Sequence, residues 1–86
     1  MKPRIPRSVS FPGGYHISVT RLSRTKANDE MGAEVYAQWD VDDHAILLRS
    51  DRSRQEQRED FVHEMEHAFI DWKDWYLGKS EHYEGD

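Results

Sequence analysis

With 86 residues and no cysteine, the chain is expected to form one domain without disulfides or thiolate metal sites, in a reducing compartment. Its 17 acidic residues against 12 basic ones give a formal charge of -5, which argues against nucleic acid as a main partner. No apolar run approaches the roughly 20 residues that cross a bilayer, and the basic start MKPRIPRSVS has no signal-peptide core, so a soluble cytoplasmic protein with no membrane partner is expected.

Residues 1–13 are punctuated by Pro3, Pro6, Pro12 and Gly13 and are read as an extended, irregular, basic arm. Residues 1–26 carry Lys2, Arg4, Arg7, Arg21, Arg24 and Lys26, and the first acid is Asp29. A basic arm can touch nucleic acid, but these charges are thinly spread, and the expectation is a solvated arm resting on the acidic remainder. Tyr15–Leu22 alternates Tyr15, Ile17 and Val19 with His16, Ser18 and Thr20, which predicts a half-buried strand. Ser23–Gly32 is polar and reads as a loop. Ala33–Asp40 alternates again through Val35, Ala37 and Trp39, and His44–Arg49 is a short apolar run. The Asp42–Asp43 turn between these two strands predicts an antiparallel hairpin.

Ser53 followed three residues later by Glu56 forms a capping box, so a helix should begin near Arg54. Phe61, Val62, Met65, Ala68, Phe69, Trp72, Trp75 and Tyr76 recur with helical period. Gly78 is the expected stop, with Lys79–Asp86 as a short acidic tail. The aromatic cluster Phe69, Trp72, Trp75 and Tyr76 is expected to pack as core on the sheet. The fold class predicted is α+β: a three-stranded antiparallel sheet packed against one long C-terminal helix, in a single domain spanning residues 1–86.

That helix carries the chemistry. In DFVHEMEHAFIDW, His63 and His67 stand four apart and Glu64 follows the first of them. Residues i and i+4 project from one helix face, so two imidazoles can share one tetrahedral ion, for which Zn2+ is the usual choice. Glu64 leaves the helix about 100° round from His63, where it serves better as a base toward a metal-activated water than as a ligand. On the wheel the histidines lie almost opposite the apolar stripe, which leaves open two solvent-facing histidines without metal. Asp71, eight residues from His63, is about 12 Å along the axis and suits an acceptor for an imidazole N–H. A third ligand would come from Glu84, Glu81 or His82 if the chain turns back after Gly78, with His44 a further option.

With strands preceding one long helix, VDDHAILLRSDRSRQEQREDFVHEMEHAF resembles the small HExxH zincins of the ImmA/IrrE-like group, common in phages and mobile elements. AILLRSD matches the strand before the helix and FVHEMEHAF the helix motif, over roughly residues 33–72. HExxHAxxD is also similar to the active-site helix of thermolysin-type gluzincins, with Asp71 at the position of the aspartate that orients a ligand. The resemblance implies a single-domain zinc metallopeptidase, a hydrolase with His63 and His67 as ligands and Glu64 as general base. It implies a protein or peptide substrate, with a repressor-like regulator protein among the options, in the cytoplasm of a bacterium or a phage-infected host cell. The alternative from another class is a non-enzymatic small phage-type protein, stabilised by metal, that binds a partner protein or, as a weaker reading, nucleic acid through its basic N-terminus.

Overall fold

A computed structural model of the chain describes residues 4–84, with side chains as far as Gly78. The elements in order are β1 (Ser8–Phe11), β2 (Tyr15–Leu22), α1 (Arg24–Glu30), β3 (Ala37–Asp40), β4 (Ala45–Arg49) and α2 (Arg54–Glu84). The class is α+β, and the sheet has four strands in the order β1-β2-β4-β3. It is mixed, which corrects the expectation of three antiparallel strands. β1 pairs antiparallel with β2 and β3 antiparallel with β4, but β2 and β4 run parallel, with Ser18 opposite Ala45 and Leu22 opposite Arg49.

The parallel pair has a physical cause. Parallel neighbours need a long crossover, and the stretch from Ser23 to His44 supplies it through α1 and β3. The two apolar strands take the centre: β4 (AILLR) is buried at four of its five positions, and β2 buries Tyr15, Ile17 and Leu22. The short strands β1 and β3 take the edges, as predicted for neither.

Part of the arm expected to be irregular is strand β1. Its Val9 and Phe11 point toward the core, and the prolines stand outside the strand rather than within it. Arg7 continues the pairing through its carbonyl, which accepts the Val19 N–H at 2.8 Å. The arm therefore docks on the sheet as a strand, and its end at Phe11–Pro12 also meets aromatic residues of the helix. Gly13, in the β1–β2 turn, has φ +90°, and a Cβ there would stand 3.1 Å from the Trp75 ring, so both backbone and packing require glycine.

The segment expected to be a loop contains α1. Ser23 caps it, its hydroxyl accepting the Lys26 N–H, and Ala27 is fully buried. Arg49, 5% exposed at the end of β4, fastens this region. Its guanidinium donates to the Val35 carbonyl at 2.7 Å, the Gly32 carbonyl at 2.8 Å and Asn28 Oδ1 at 2.6 Å.

α2 starts where the capping box predicts. Glu56 Oε1 accepts the Ser53 N–H at 3.0 Å and Ser53 Oγ accepts the Glu56 N–H at 3.1 Å. The hydrogen bond from the Ser53 backbone, then that from its hydroxyl, hold the Glu56 carboxyl below its ordinary pKa. The helix buries Ala68 in a core formed with Tyr15, Ile17, Ile46 and Leu48, and Phe61, Met65 and Trp72 pack around it. Burying a side chain such as Ile17, Ile46 or Leu48 contributes about 1.5–3 kcal/mol. Phe69, Trp75 and Tyr76 are not core, being 46%, 37% and 40% exposed. They form a rim around Phe11, Tyr15 and Trp72, the last of which donates its indole N–H to the Pro12 carbonyl at 2.9 Å.

Gly78 does not end the helix, which continues to Glu84. It is absent from the glycines with positive φ, so the left-handed stop it would make is not formed. Among the described residues, no helix is long and apolar enough to cross a membrane.

Candidate metal centre

α2 passes under the sheet at a register that sorts the three motif residues. Ala68 and Glu64 turn inward and are buried, whereas His63 and His67 are exposed. His63 Nε2 and His67 Nε2 are 3.3 Å apart, with ring planes at 86°. A tetrahedral zinc with bonds of about 2.05 Å holds two ligand nitrogens roughly 3.3 Å apart. The pair therefore has the bite of one ion, and its exposure leaves room for further ligands. The same distance also allows one imidazole N–H to donate to the other ring.

Glu64 faces a cavity of about 370 Å³ beneath the edge strand β3, lined by Ala37, Gln38, Trp39, Glu64, His67, Ile70 and Asp71. That is within the range of sites that hold small ligands. His67 stands on its wall, while His63 is not part of the lining. Glu64 is 8% exposed, so its carboxylate is largely shielded by protein while still bordering this space.

Asp71 also lines the cavity, but its Oδ2 accepts from the indole N–H of Trp39 rather than from an imidazole. The expected contact to an imidazole is thus replaced by one that ties α2 to β3. Tyr15 lies close by. Its burial, and secondarily the Asp71 charge, push its phenol above the ordinary value of 10.0, so it stays protonated at neutral pH. Trp39 and Tyr15 were readable as strand positions facing the core; nothing in their spacing announced a polar role beside Asp71.

The third-ligand expectations meet the straight helix. Because the chain does not reverse after Gly78, Glu81 follows His67 by about 21 Å along the axis, and His82 and Glu84 lie farther on. Their side chains lie outside the described residues. His44, at φ 50° in the β3–β4 turn, stacks on Tyr15 with ring centroids 4.0 Å apart. Among the described residues, no three His, Asp or Glu side chains converge as a set of metal ligands.

No family model, no curated protein and no solved structure matches this chain. Imidazole nitrogen is a donor that zinc favours, and the separation of the two rings fits the ion. The fit extends to two protein ligands.

Proposed function

We infer that this protein is a small zinc-dependent metallopeptidase of the HExxH type, with His63 and His67 as metal ligands and Glu64 as general base. The observation that carries the reading is the 3.3 Å separation of the two Nε2 atoms on one helix. When bound, zinc supplies Lewis acidity toward a carbonyl oxygen and brings the pKa of a water toward neutrality. Glu64 is the proton acceptor this chain provides. It is one residue from His63, and it borders the same cavity as His67.

A peptide is the substrate class that suits the neighbourhood. β3 hydrogen-bonds to β4 on one side, and its other edge is unpaired among the described strands. An extended peptide can add to such an edge through main-chain hydrogen bonds, which would lay it beside Gln38 and the cavity. Asp71 and Trp39 hold edge strand and helix together, so the cavity keeps its shape while a chain is bound. The resemblance of FVHEMEHAF and AILLRSD to ImmA/IrrE-like zincins supports a regulator protein as the natural substrate.

A second reading keeps the metal without the reaction: a metal-stabilised protein that docks a partner. The exposed apolar residues Val62, Phe69, Ile70 and Leu77 on α2 favour it. One assay separates the two. Zinc-loaded protein is expected to cleave an unstructured protein such as casein, to stop when a chelator removes the ion, and to resume when zinc is restored. Zinc held without cleavage overturns the peptidase and leaves the docking protein.

A further inference from the structure

The described residues hold a second, larger cavity that the histidine site does not use. It is a groove of about 670 Å³ between the N-terminal arm, β2 and the first turns of α2. Arg4 and Arg7 line it from the arm, Arg21 from β2, and Arg54 and Arg58 from α2, with no acidic residue in its lining. Five of the twelve basic residues of the chain thus surround one recess. The ion pairs among the described residues engage Arg49 and Arg52, and none involves these five. Of the five, Arg58 donates to the Gln55 side chain.

We propose that this groove binds the phosphate backbone of nucleic acid without reading its bases. Five like charges in one recess repel one another unless an anion sits among them, and the planar guanidinium fork matches a phosphate. The groove holds no aromatic side chain on which a base could stack, so contact is confined to the backbone. It also has little to offer an acidic peptide beyond charge. β2 is a central strand, and the Val19 N–H at the groove floor is already taken by the Arg7 carbonyl, so no strand can be added there. The acids of the chain do not cancel the patch. The segment 1–26 holds none, and the acids in the first turns of α2 are engaged elsewhere, Glu56 and Asp60 by Arg52 and Glu59 by the Gln55 side chain, none of them lining the groove. The site is independent of the metal: on a helix of 3.6 residues per turn, Arg54 and Arg58 project from the face opposite His63 and His67.

The test is fluorescence anisotropy of a short labelled oligodeoxynucleotide of mixed sequence, titrated with the full chain. Binding is expected at low salt, with affinity falling linearly on a log–log plot at a slope of roughly -2 to -3, for three or four phosphates held. The paired variants R7Q/R21Q and R54Q/R58Q, which remove charge from different elements, should each weaken binding about tenfold or more. The variant R24Q/K26Q removes the same charge from α1, outside the groove, and should change affinity by less than about twofold. Circular dichroism of each variant establishes that it is folded. The proposal is overturned if the oligonucleotide does not bind at low salt, or if R24Q/K26Q weakens it as much as the groove variants. Easier displacement by a poly-glutamate peptide than by unlabelled oligonucleotide overturns it as well. Loss of zinc or of peptide cleavage leaves all of these outcomes unchanged.

Discussion

Replacing Glu64 by Gln is expected to lower cleavage of casein by about two to four orders of magnitude while leaving zinc content unchanged. The substitution preserves volume and planarity, which matters because Glu64 is 8% exposed and packed under β3. It removes one property, the capacity to take a proton. A glutamine side chain can still donate and accept hydrogen bonds in the cavity, so the fold should survive. Neither nitrogen proposed to hold the metal is touched, since both belong to His63 and His67. Cleavage within a few-fold of the native rate would show that another group accepts the proton and would remove Glu64 from the reaction.

The largest effect on stability is expected from Arg49→Met. Three acceptors on three sides converge on this guanidinium: the Asn28 side chain from α1, and the carbonyls of Gly32 and Val35 from the loop leading into β3. Asp51, at 3.9 Å and partly solvated, is its counter-charge. Hydrogen bonds to a charged group contribute about 1.5–3 kcal/mol each, less than additively when they share one donor group. Methionine retains the apolar stem and fills much of the volume, so the net loss should be about 3 kcal/mol. For a domain of this size that lowers the melting temperature by roughly 12–24 °C, read by thermal circular dichroism. A fall of only a degree or two would mean that α1 and the 32–35 loop are held by other contacts. The same loop delivers β3 to its place over the Glu64 cavity, so the variant should also lose cleavage more steeply on warming.

Features written in local sequence were legible. Ser53 and Glu56 satisfy each other across one turn, so the start of α2 follows from four residues. The alternation of Tyr15, Ile17 and Val19 predicts β2, because a strand with one buried face has no other simple pattern. Features that depend on distant partners were not. α1 is short and polar, and its one fully buried side chain, Ala27, carries no periodic signal. β1 has only Val9 and Phe11 to show among prolines and glycines. The parallel pairing of β2 with β4 is a choice between topologies that share the same strands.

The site divides in the same way. The approach of His63 to His67 is a property of helical spacing and was predictable. The bond between Trp39 and Asp71 joins residues 32 apart in the chain, and helical spacing pointed Asp71 elsewhere. Gly78 carried an ambiguous signal. Glycine in a helix interior costs about 1 kcal/mol relative to alanine, which the continuing helix to Glu84 absorbs without a left-handed turn. The arginine groove was hidden because Arg54 and Arg58 lie some 50 residues beyond Arg4 and Arg7, and only the docking of the arm along β2 brings them together.

The most direct measurement is the zinc content of dialysed native protein beside that of H63A/H67A, both reconstituted with zinc and both verified as folded by circular dichroism. If the two nitrogens 3.3 Å apart grip the ion as proposed, native protein retains about one zinc per chain and the double variant none. Equal zinc in the two samples, or none in either, would contradict a metal centre on this helix.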